Sequence, residues 1–173
     1  MNLLRYTTPL LAVSAIVFFA AGPSTSARAC EAHSAGANQA PTMGSPRLVS
    51  TRSAKDFGAT LNALKAAIDT RGLKTFAIVD HAAGAASINM DLRPTTLIIF
   101  GNPRGGTPIL QLDQRMGIVL PLKAIVYQDS AGDVHVATTD IEAEAAAFDL
   151  PAEPGIARIS GALTAIRADA TKP

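Results

Sequence analysis

The chain has 173 residues, with 15 Lys and Arg, 14 Asp and Glu and three His, for a formal charge of +1. That length amounts to about one domain. So even a balance leaves no electrostatic footprint for nucleic acid or an anionic membrane, and 5% aromatic residues without tryptophan leave no base-stacking surface. A single cysteine excludes an intramolecular disulfide.

The first stretch has the anatomy of a secretory signal peptide. Arg5 supplies a positive start, an apolar run over residues 10–21 is broken only by Ser14, and Ala27-Arg28-Ala29 forms an Ala-x-Ala cleavage pattern. An apolar stretch of about 12 residues is short for a membrane span, so residues 1–29 are expected to be removed on export, with an uncleaved anchor as the alternative. Cys30 then becomes the first mature residue. A bacterial lipoprotein carries its lipid on such a cysteine, although Ala27 and Arg28 fit that signal poorly; membrane contact is expected only by that route. Without Arg5 and Arg28 the mature chain carries 13 basic and 14 acidic side chains.

Residues 30–46 hold few bulky apolar side chains and read as a flexible tether, with His33 solvated. The folded domain is expected over residues 47–173. Residues 47–51 suggest a short strand. Ser53-Ala54-Lys55-Asp56 resembles a capping box with Asp in place of Glu, and Phe57, Leu61, Leu64 and Ile68 lie on one helical stripe. Arg71-Gly72 ends that helix. A second strand is expected over 74–80, and the small residues 81–86 suggest a short helix or tight connection. Residues 95–100 form a buried, β-branched strand that stops at Gly101-Asn102-Pro103. Thr107 can cap a helix with Pro108 in its first turn and with Ile109, Leu112 and Met116 facing the core. Val119, Leu120 and Leu122 flank a proline, so they either finish the core or offer an edge contact. Residues 124–128 and 134–138 form a hairpin about the turn 129–133. Residues 140–149 are helical, and Ile156, Ile159, Leu163 and Ile166 mark a last helix. The order predicts one α/β (α+β) domain, a mixed sheet packed by two or three helices with a hairpin in its C-terminal half.

Five short motifs in register resemble the domain of unknown function 302 (DUF302) family: Phe57-Gly58-Ala59-Thr60, Val79-Asp80-His81, Phe100-Gly101-Asn102-Pro103, Leu120-Pro121-Leu122-Lys123 and Asp129-Ser130-Ala131-Gly132. The resemblance covers residues 47–138 and is weaker from Ile141 onward. It implies a small α/β domain, sometimes exported and sometimes fused to other modules, with a tendency to form homodimers and no agreed activity. It also implies that the shared polar positions are Asp80, His81, Asn102 and Lys123.

Read from the residues, Asp80-His81 and Asn102-Pro103 each follow a strand. If those strands are parallel neighbours, both pairs meet at one end of the sheet, with Lys123 adding a charge. Such a cluster suits a small polar or anionic ligand, and His81 is the candidate acid or base. The competing reading is that these side chains set turns by bonding local backbone. No metal spacing is present: Asp80, His81, His135 and Met90 offer donors without a His-x-x-x-His or Cys-x-x-Cys frame. The loop 101–106 is glycine-rich but lacks the ending of a phosphate-binding loop. The expectation is therefore an exported ligand-binding protein that needs no cofactor. The alternative is a non-enzymatic dimeric interaction module with a structural polar cluster, and the third reading is a hydrolase or isomerase using His81 as base.

Overall fold

Alternation builds the sheet. In residues 95–101 and 122–128, Thr96, Ile98, Phe100, Leu122, Ala124 and Val126 are buried, whereas their neighbours Thr95, Leu97, Ile99, Lys123, Ile125 and Tyr127 are half-buried. One face of each strand thus lies under helices while the other is left more open. The structure, a computed structural model, describes residues 47–173; the expected leader 1–29 and tether 30–46 lie outside the described residues.

Strands β1 (Leu48–Arg52), β2 (Lys74–Asp80), β3 (Thr95–Gly101), β4 (Leu122–Gln128) and β5 (Val134–Thr139) form one sheet in the order β1-β5-β4-β3-β2. The helices are α1 (Phe57–Thr70), α2 (His81–Ala86), α3 (Pro103–Leu112), α4 (Ile141–Ala147) and α5 (Pro154–Thr171), with a 3-10 turn at Gln114–Ile118. Helices α1 and α5 pack on each other and on the sheet. Leu64 and Ile68 of α1, Leu163 and Ile166 of α5, and Ile98, Phe100, Val126 and Val136 of the strands close the core between them.

The expected single α/β layer domain and its C-terminal-half hairpin are present. The sheet itself is antiparallel at every pairing rather than mixed. A parallel return needs a crossover element that lies on the sheet, and α2, the only helix between β2 and β3, buries none of its residues.

Two helix starts differ from expectation for local reasons. Helix α1 is capped by Asp56, whose Oδ1 accepts the Ala59 amide at 2.8 Å, rather than by Ser53. The Ser53 hydroxyl instead meets that of Thr60 at 2.7 Å in the buried layer. Helix α3 starts at Pro103 rather than after Thr107, because Asn102 supplies the cap and proline suits the first helical position. Starting earlier, α3 ends at Leu112, which is exposed, while Ile109 and Met116 are buried as expected. Val119, Leu120 and Leu122 belong to the core of this chain.

Candidate functional site

The four polar residues expected to form one site are held apart. β2 and β3 are antiparallel, so Asp80 stands beside Thr96 while Lys74 stands beside Gly101. Asp80 and Asn102 therefore mark opposite ends of the pair, about 20 Å apart along β2 at ~3.4 Å per residue. Within one chain, strand direction sets Asp80 and His81 at the end opposite Asn102, and Lys123, beside Ile99, lies toward the Asn102 end.

Each residue has its own local work. The Asp80 Oδ1 accepts the Ala83 amide at 2.9 Å and starts α2. His81 is the exposed first residue of α2, and its ring makes no hydrogen bond to another described residue. The Asn102 Oδ1 accepts the Arg104 amide at 3.0 Å, and its carbonyl accepts those of Gly105 at 3.0 Å and Gly106 at 3.1 Å. With Pro103 having no N–H, the first donors of α3 are all occupied, so the glycine-rich loop is not an anion cradle. Lys123 pairs with Ile99 on the face away from the core, and its Nζ donates to the carbonyls of Ile118 at 3.2 Å, Val119 at 3.0 Å and Pro121 at 3.2 Å. A cation thus closes the C-terminal end of the 3-10 turn, and burial pushes the lysine below its ordinary value.

His135 lies away from His81, on β5, which is three strands from β2. Its Nε2 meets Asp129 Oδ2 at 2.9 Å, and its ring stacks on Tyr127 with centroids 5.1 Å apart. The hydrogen bond from His135, together with the Asp133 and Ala131 amides, holds the Asp129 carboxyl below the ordinary range. That arrangement pins the hairpin turn. Among the described residues no group of three His, Cys, Asp or Glu side chains is placed to hold a metal ion.

What the loop after β3 does shape is a pocket of about 270 Å³. Leu73, Phe76, Leu110, Leu120, Leu122 and Ile159 form its walls, and Gly101, Asn102, Pro103, Gly105, Gly106 and Thr107 run along it. A β-carbon at Gly106 would stand 3.8 Å from Leu120, so glycine keeps this side of α3 open. Asn102 is the one member of the expected quartet found here. The walls were missed in the sequence because they come from β2, α3, β4, α5 and two connections that are far apart in the chain. One signal was available: the paired glycines Gly105-Gly106, which fall in the first turns of α3.

The fold and pocket define a small α/β domain whose antiparallel five-stranded sheet carries a helical layer and a mostly apolar cavity at one strand end. The chain belongs to the family described as "Domain of unknown function DUF302", which matches residues 49–168 and so takes in α4 and most of α5. The stretch from Ile141 onward is therefore more family-like than its motifs suggest. Among solved structures, the chain is similar to the uncharacterized conserved protein DUF302 from Bacillus stearothermophilus, with a TM-score of 0.64 and 16% identity, covering 72% of this chain and 98% of that one. Among curated proteins it is 37% identical over 93 residues to the fluoride-specific ion channel FluC 1 of Brucella suis biovar 1 (strain 1330). The same identity holds over 93 residues of FluC 1 from Brucella abortus biovar 1 (strain 9-941). The match covers 54% of this chain but only 37% and 34% of those relatives.

Proposed function

We propose that the domain binds a small, largely apolar molecule, an alkyl chain or an aromatic ring, in the pocket beside the loop after β3. The observation that carries this reading is the wall of Leu73, Phe76, Leu110, Leu120, Leu122 and Ile159 around a cavity of about 270 Å³. Ligand sites are concave, mostly apolar and furnished with a few polar groups that fix orientation. Asn102 and Thr107 provide such groups, and the Asn102 side-chain nitrogen donates to no described residue. No hydroxyl or thiol stands in hydrogen-bond contact with His81 among the described residues, so the geometry favours binding over catalysis by that imidazole. The leader-like residues 1–29 support export of the domain, which the mass of the mature chain tests directly: a first residue of Cys30 agrees, and an intact Met1 does not.

The binding test is a titration of the chain with an anilinonaphthalene dye and with saturated fatty acids of increasing length, read by fluorescence and thermal shift. A ligand at roughly 100 times its dissociation constant adds about 2.7 kcal/mol. Gly106→Leu should abolish the response by filling the cavity. Leucine is the better helix former by about 1 kcal/mol, and the melting temperature of the unliganded variant separates a filled cavity from a loss of fold. An equal response from wild type and Gly106→Leu would put the ligand elsewhere.

A further inference from the structure

Arg167 of α5 is 7% exposed, the most buried arginine among the described residues. Arg47, Arg52, Arg71 and Arg115, all less buried, each pair with a carboxylate. Arg167 forms no ion pair with a described residue. A charge taken out of water without a counter-charge is costly to a fold. Two threonine hydroxyls meet part of its demand: Nη1 donates to Thr138 Oγ1, and Nη2 to Thr164 Oγ1 at 3.1 Å. A guanidinium carries further N–H donors beyond these two. Arg167 lines a second cavity, of about 250 Å³, where β1, the corner between β5 and α4, and α5 meet. Asp140 and Glu142 line the same cavity. Asp140 Oδ1 accepts the Ala143 amide at 3.1 Å, which leaves Oδ2, and the Glu142 carboxylate bonds no described residue. Arg47 also reaches this corner, where its carbonyl accepts the Asp140 amide at 2.8 Å, but its guanidinium is paired with Glu144.

We propose that this cavity binds a small zwitterion, a free amino acid whose carboxylate meets Arg167 and whose ammonium meets Asp140 and Glu142. Arginine is the side chain best matched to a carboxylate, and a buried one without an acidic partner is ready to take it from a ligand. The two acids work against a simple anion, and the guanidinium works against a simple ammonium, so the wall selects a molecule with both signs. Ser160 and Thr139 add hydroxyls that bond no described residue. Val49, Ile141 and Leu163 supply the apolar part of the wall, which suits a short aliphatic side chain. The volume agrees, since drug-sized ligands need roughly 300–1,000 Å³. This cavity shares no lining residue with the pocket beside α3, so either reading can fail alone.

Calorimetric titration of the chain with alanine and valine, checked by thermal shift, tests it. Both should bind, whereas N-acetylalanine, which lacks the ammonium, and alaninamide, which lacks the carboxylate, should bind at least about tenfold more weakly. Arg167→Met should weaken alanine by a similar factor and erase its advantage over alaninamide, an effect that a purely structural arginine would not have. Circular dichroism confirms that this variant folds, as buried charges replaced by apolar residues often do. Glu142→Gln changes an exposed position of α4, where the fold is not at stake, and should narrow the advantage of alanine over N-acetylalanine. No binding of alanine or valine, equal binding of either blocked form, or an affinity that either folded variant leaves unchanged would each overturn the proposal.

Discussion

Asp80 and Asn102 occupy opposite ends of one antiparallel strand pair, and each spends its side chain starting the helix that follows it. Two caps at separate corners should behave independently. Replacing either by Ala should cost about 0.5–2 kcal/mol, and the double variant should equal the sum within about 0.5 kcal/mol. Urea unfolding of the four proteins measures this. A coupling well above that margin would mean that the two residues share something the geometry does not provide.

Lys123 acts as a three-way donor to the carbonyls of Ile118, Val119 and Pro121. Lys123→Met keeps the aliphatic stem but removes the charge, leaving those carbonyls to water or to nothing. The expected loss is about 1–3 kcal/mol, seen as a lower urea midpoint at unchanged slope. A variant as stable as the parent would free Lys123 from its structural part.

Acid should weaken the contact between the ends of α1 and α5. Asp169 accepts from Lys172 and from Arg71, each at 2.6 Å, and these partners lower its carboxyl from the ordinary 3.8 to about 2. A carboxyl depressed in the folded state contributes stability above its unfolded value and loses it as pH falls through the folded one. The contribution should be complete above about pH 4 and fade between about 4 and 2. Asp169→Asn should flatten that part of the melting-temperature profile and leave its neutral part lower. Parallel acid limbs for the two proteins would remove Asp169 from the account.

Thr60 and Ser53 form a buried hydroxyl pair at 2.7 Å, and Thr60 also donates to the Asp56 carbonyl at 2.7 Å. Thr60→Val should strand the Ser53 proton and destabilise by about 1–3 kcal/mol. Adding Ser53→Ala should recover part of that loss by removing the stranded hydroxyl, and only part, because the Lys55 amide then loses the Ser53 oxygen it donates to at 3.1 Å. No recovery in a thermal melt would point to the Asp56 bond alone.

Much of the architecture was legible because its signals are local. The apolar, β-branched run of residues 95–100, the turn 129–133 and the stripe of Phe57, Leu61, Leu64 and Ile68 each report on a neighbourhood of a few residues. Strand direction is not local. It depends on whether the piece after β2 lies on the sheet, and the alanines and glycine of α2 give it nothing to bury there. The candidate site went wrong at that step, since Asp80 and Asn102 were correctly placed at strand ends, but the strands run in opposite senses. Asn102 nevertheless borders the pocket, because the turn that caps α3 also frames the cavity. The apolar walls were beyond reach, since Leu73 and Ile159 become neighbours only when α5 docks.

Five turning points of the chain are written in the same hand: Asp56, Asp80, Asn102, Asp113 and Asp140 each offer a side-chain oxygen to an amide two or three residues on. Corners set this way need no distant contact to be drawn. A lineage can then rewrite most of the residues between them, provided the alternation and stripes survive, and still trace the same path. Drift across this family should therefore be slowest at small acidic or amide corners and fastest along the faces they connect.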